Sequence, residues 1–171
     1  MPTTVSVGLL ILRVVAGLTI AAHGAQKGFG WFGGAGFAKT IAGFQKQGLR
    51  PGSLWTLLAI LGELGGGVSV ALGFLTPLGA AGMVGAMVMA IIKVHWRKGF
   101  WSANGGYEFP LQLLAAAVTV GIAGAGAYSV DALAHIHLTV AIFLVLAALA
   151  LIVDAIGLYT SGRQTPTTQS A

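Results

Sequence analysis

The chain has no cysteine. That excludes disulfides, thiol catalysis, thiolate metal sites and iron–sulfur clusters held by cysteine. Any redox role therefore needs a bound cofactor or a partner protein. Charge is scarce too. Only 8% of residues are Asp, Glu, Lys or Arg, against about a quarter in soluble domains. Just four are acidic: Glu63, Glu108, Asp131 and Asp154. No Lys or Arg precedes the first apolar run, so that segment is not expected to be a signal peptide. Both cations are also missing from the Gly73–Pro77 turn and from the segment around Asp131.

What remains is apolar. Of the 171 residues, 56% are hydrophobic, enough for one membrane bundle and no separate soluble domain. Five apolar stretches cover Val5–Ala22, Leu54–Leu75, Leu78–Val94, Phe109–Ala127 and Leu138–Tyr159. Each is about the length of a helix that crosses a bilayer. If each crosses once, Lys27, Lys39, Lys46, Arg50, Lys93, Arg97, Lys98 and Arg163 all fall on one side. This asymmetry predicts a multi-pass protein of the cell membrane with the N-terminus outside and the basic loops and C-terminus in the cytoplasm. Attraction to anionic headgroups accounts for the net charge of +5, so no nucleic-acid partner is expected.

The 27 glycines fit the same class, since small residues let membrane helices approach closely. Gly62 and Gly66, extended by Ser69 and Gly73, form one small-residue stripe; Gly79, Gly82 and Gly85 form another. The short Gly73–Pro77 connection predicts an antiparallel helical hairpin. Ser53, Thr76 and Ser129 are expected to cap the second, third and fifth helices. Phe37, Ile41 and Phe44 recur at helical spacing opposite Lys39 and Lys46, which predicts an interfacial amphipathic helix over residues 36–47. Phe29, Trp31 and Phe32 read as interfacial anchors. The domain reading is a membrane core over 1–135, a further transmembrane helix over 138–159 and a polar disordered tail over 160–171.

Charged groups within apolar spans are costly unless paired or hydrated, so they are the functional candidates. Glu63 stands about two and a half turns into the second helix and should face the bundle interior. There it either carries a proton or pairs with a cation; it is a structural tie between helices, or a proton carrier or ligand contact. His23 and Lys27, at i and i+4, share a face at the basic end of the first helix. Snorkelling explains Lys27, whereas His23 can exchange a proton near neutral pH. His95 could join the site from the end of the third helix. Glu108 suits the start of the fourth helix electrostatically, and Gln112 shares its face one turn on. Arg13 could pair with Asp131, bind an anion or snorkel outward. Asp131, His135 and His137 read as solvated, and Asp154 as paired with Lys27 or Arg163. No tight metal-ligand spacing such as His-Glu-x-x-His occurs, so no metal is expected.

At these residues the chain resembles the DoxX family of small bacterial membrane proteins. The likeness rests on His23-Gly-Ala-Gln-Lys27-Gly-Phe-Gly, Gly62-Glu63-Leu-Gly-Gly-Gly, Gly73-Phe-Leu-Thr-Pro77, Asn104-Gly-Gly-Tyr-Glu108 and Tyr128-Ser-Val-Asp131. It implies a four-helix transmembrane bundle with these polar residues facing inward, to which Leu138–Tyr159 adds a fifth helix. Family members include a subunit of a thiosulfate:quinone oxidoreductase, and others resemble membrane anchors of oxidative-stress complexes.

The leading functional expectation is a redox-associated membrane subunit with a polar inner-leaflet pocket for a quinone-like molecule. Glu63 and His23 would exchange protons with its headgroup; Lys27, His95, Glu108 and Gln112 would bind and orient it. Electrons would come from a soluble redox partner on the cytoplasmic face. The alternative is a scaffold or assembly factor that presents its cationic face to soluble proteins. A third reading is a small proton-coupled transporter, for which a homo-oligomer would supply the missing size.

Overall fold

The computed structural model describes residues 2–162. Its helices are α1 (Thr3–Phe29), α2 (Gly36–Lys46), α3 (Gly52–Leu72), α4 (Thr76–Lys98), α5 (Glu108–Ala123), α6 (Val130–Leu133) and α7 (Val140–Gly162). Among the described residues there is no strand, and α1, α3, α4 and α7 are long and apolar enough to cross a membrane. The protein is an all-α multi-pass membrane bundle. α4 lies at its centre, packed against α3, α5 and α7, while α1 packs on α3 and α5. The most apolar 18-residue windows of α4 and α7 are 56% and 17% buried, so α7 is a peripheral helix that turns most of its surface to lipid.

α1 runs past the predicted stop at Ala22 because nothing breaks it until Gly30. That glycine takes a left-handed conformation, and its N–H donates to the Gln26 carbonyl oxygen at 3.2 Å. His23 and Lys27 consequently lie inside the helix. α5, at 16 residues, is shorter than the predicted Phe109–Ala127. It rises about 24 Å, less than the roughly 30 Å of a hydrocarbon core, and is followed by the non-helical segment 124–129. α7 reaches Gly162, so Thr160 and Ser161, assigned from sequence to the tail, are helical; their hydroxyls donate to the Ile156 and Leu158 carbonyls. The rest of that tail lies outside the described residues.

The glycine stripes set the helix spacing. A Cβ on Gly62 would lie 2.7 Å from the Gly82 carbonyl oxygen, and one on Gly66 would lie 2.8 Å from that of Gly79. α3 and α4 therefore meet backbone to backbone. α1 meets α3 in the same way. A Cβ on Gly24 would stand 2.4 Å from the Leu64 nitrogen. Gly24→Ala should force the two helices apart and cost about 1–3 kcal/mol, as overpacking does. Thermal unfolding in detergent micelles checks this, with Gly43→Ala as the control, since a Cβ on Gly43 meets nothing within 4 Å.

Several expectations about buried charges and helix caps are corrected. Arg13 neither snorkels nor forms an ion pair with Asp131. It is fully buried and donates to the carbonyls of Val70 at 3.3 Å and Tyr128 at 2.6 Å. Irregular backbone beside lipid must be satisfied from within the protein, and the guanidinium does this for the segment after α5. Asp131 is buried, not solvated. Its carboxylate accepts from the Leu75 and Thr76 N–H groups at 2.7 and 3.0 Å and from the Thr76 hydroxyl at 2.7 Å. It thus serves the start of α4 in place of the predicted Thr76 cap, from 55 residues further along the chain. Ser129 caps the short α6, accepting from Ala132 N–H at 3.1 Å, and not the fifth long helix. Ser53 makes no cap, since α3 begins at Gly52 behind Pro51. His135 and His137 are exposed, as expected.

Candidate functional site

Two helices change their winding where the polar residues sit. Leu61–Gly65 in α3 and Ile91–His95 in α4 each form one π-helical turn, the first carrying Glu63 and the second Lys93 and His95. Such turns occur as single insertions in α-helices and are frequent at functional sites. Gly24 brings α1 against the first of them. The buried Glu63 carboxylate then accepts a hydrogen bond from the Lys27 ammonium of α1, which is the only salt bridge among the described residues. The cation that Glu63 required is therefore Lys27. This removes Lys27 as the partner expected for Asp154, while Arg163 lies outside the described residues.

Between α3 and α4 runs a groove of about 740 Å³, closed on one side by α7. Its wall is almost entirely apolar and its floor holds Gly62, Gly66, Gly82 and Gly85. Five polar side chains line it: Lys27, Glu63, Ser69, His95 and Asp154. Leu61, Leu72 and Leu78 on its rim are exposed, so the groove opens sideways toward lipid. His95 is held by the loop after α4. Its Nδ1–H donates to the Gly105 carbonyl at 2.6 Å, which in the neutral ring leaves Nε2 as an acceptor. The same loop is stiffened by Trp96 stacked on Tyr107 with ring centroids 5.2 Å apart.

A second recess of about 430 Å³ lies under α2 at the basic end, lined by His23, Gln26, Lys27, Lys39 and Thr40 among others. Lys27 lines both spaces and stands between them.

The six residues singled out from the sequence are thus not gathered in one pocket. Glu63, Lys27 and His95 line the groove. His23, one turn before Lys27, turns toward α5 with its ring 5.6 Å from that of Phe109, and it borders only the recess. Glu108 lines neither space, because its carboxylate accepts from the Ser102 N–H at 2.9 Å and closes the loop before α5. Gln112, one turn further on, is exposed and also lines neither. Lys93 points elsewhere too, donating to the Gln47 carbonyl at 3.1 Å and the Ser161 hydroxyl at 2.5 Å. Asp154, expected from the sequence only as an ion-pair partner of Lys27 or Arg163, lines the groove as well. Among the described residues no cluster of three or more His, Asp or Glu could hold a metal.

The DoxX family model matches residues 8–96, just over half of the chain. The match covers α1 through the π-helical turn of α4, and so includes His23, Lys27, Glu63 and His95. The Asn104–Glu108 and Tyr128–Asp131 motifs and all of α7 lie beyond it. No curated protein and no solved structure shows significant similarity to the chain.

Proposed function

The chain belongs to the DoxX family of membrane proteins, and from that premise we propose that it is a redox-associated subunit of the cell membrane whose groove holds a quinone-like molecule. The observation that carries this reading is the groove itself: open to lipid, apolar along its length, and polar at a few points only. A molecule that diffuses within the bilayer can enter sideways and leave its tail against the glycine floor. The lining fits such a group, since its carbonyl oxygens need hydrogen-bond donors and the groove supplies them.

When bound, a quinone supplies a pair of carbonyls that takes up two electrons and two protons. The chain's own groups do the rest. The Lys27 ammonium has three N–H donors and gives one to Glu63, so others remain to orient a carbonyl oxygen. Glu63 holds that ammonium in place and is a proton acceptor at the groove wall. His95 presents a fixed ring whose Nε2 accepts a proton or a hydroxyl. The recess under α2 gives protons a way in from the basic end, past His23, to the Lys27–Glu63 pair. Basic loops and C-terminus face the cytoplasm in this reading, where a soluble partner delivers the electrons.

Mass spectrometry of lipophilic molecules retained by gently extracted protein tests this. Wild type should carry a quinone, and Glu63→Gln should retain about tenfold less, the cost of one charge-assisted hydrogen bond. No quinone in either sample, with both chains folded, would instead favour a scaffold. That second reading rests on the exposed Trp96, Arg97, Lys98 and Trp101 at the basic end, a surface suited to a soluble partner.

A further inference from the structure

Of the five polar side chains in the groove, four have their hydrogen-bonding committed at least in part. Glu63 takes Lys27, His95 Nδ1–H goes to Gly105, and the Ser69 hydroxyl donates to the Phe74 carbonyl at 2.5 Å. Asp154 is different. It is 7% exposed, and among the described residues its Oδ2 is a buried oxygen without a partner. It projects from α7 over Gly85 of α4; a Cβ on that glycine would lie 3.7 Å from Oδ2. The missing side chain at Gly85 therefore leaves space in front of the carboxyl, and that space belongs to the groove. α7 is otherwise a lipid-facing helix, pinned by Phe143 against Gly121 and by Gly157 against Trp55. These contacts set the rotation of the helix and turn Asp154 inward.

A buried oxygen left without a donor costs about 1–3 kcal/mol, and more when charged. Selection of an apolar residue would avoid that cost. We propose that Asp154 is a ligand-binding residue contributed by α7, which accepts a hydrogen bond from a hydroxyl of a lipid-soluble molecule in the groove. The proposal rests on the quinone reading and adds a preference to it: the ligand that satisfies Oδ2 is the reduced, hydroxyl-bearing form. Lys27 donates and suits a carbonyl; Asp154 accepts and suits a hydroxyl. The groove can therefore hold both forms, with Asp154 biasing it toward the hydroquinone.

The test uses the full chain in lipid nanodiscs and follows quenching of tryptophan fluorescence, which includes Trp55 in the groove wall. The probes are a short-chain alkyl benzoquinone and the corresponding hydroquinone, the latter kept reduced under anaerobic conditions. Wild type should bind both. Asp154→Ala should bind the hydroquinone about tenfold more weakly, Asp154→Asn, which keeps one acceptor oxygen, by a smaller factor of about threefold, and both should bind the quinone within about twofold of wild type. Both variants should melt no lower than wild type, because an oxygen without a partner contributes no stability. Unchanged hydroquinone binding in both variants would overturn the assignment while leaving the quinone reading in place. Equal loss of both probes, or a lowered melting temperature, would make Asp154 a structural residue and also overturn it. If wild type binds neither probe, both readings fall and the groove belongs to lipid or to a helix of a second copy.

Discussion

Lys27→Met should lower the unfolding free energy in detergent micelles by about 3 kcal/mol, the cost of leaving a buried charge without its partner. The Glu63 side chain is only 3% exposed and that of Lys27 30% exposed, so the loss falls on the carboxylate. The lower end of the usual range applies because the lysine is partly accessible. The double variant Lys27→Met/Glu63→Leu should regain most of the stability, since apolar replacement of a whole buried pair is often neutral or better. Ligand retention should be lost in both. A double variant as unstable as the single one would show that the two groups do not act as a pair.

Asp131→Ala carries the second large effect, also about 3 kcal/mol. The substitution strips acceptors from two backbone N–H groups and one hydroxyl at the buried start of α4, and each orphaned donor costs about 1–3 kcal/mol without full additivity. Asp131→Asn keeps one carbonyl oxygen and should lose less than half as much. Were the residue solvated, as its loop position suggests, both changes would stay within about 0.5 kcal/mol. Equilibrium unfolding of the two variants against wild type separates these cases.

These two residues also mark where reading the chain residue by residue stops working. Glu63 was legible because a carboxyl within an apolar helix is costly wherever the helix packs. Its partner was not, because Lys27 alone is equally well explained by snorkelling. Asp131 was misread for the same reason: its donors lie 56 and 55 residues earlier, at Leu75 and Thr76, and no local pattern links them. Arg13 reaches 115 residues along the chain, to the Tyr128 carbonyl. His23, Glu108 and Gln112 looked like neighbours of Glu63 because all stand at the basic ends of their helices. Sharing an end of the bundle does not mean sharing a face, and the rotation of α1 and α5 turns them away from the groove.

That this is a membrane bundle, roughly where its apolar helices run and which end of them is basic could all be read from the amino acids alone. Those properties follow from a free-energy cost that lipid imposes on each residue separately, so they can be read one segment at a time. Packing of the helices was needed to show that Lys27 meets Glu63, that Arg13 and Asp131 hold the opposite end together, and that Asp154 faces a groove with no partner for Oδ2 among the described residues. Those outcomes depend on helix rotation and register, which backbone contacts at Gly24, Gly62 and Gly66 and the seating of Gly157 on Trp55 set jointly.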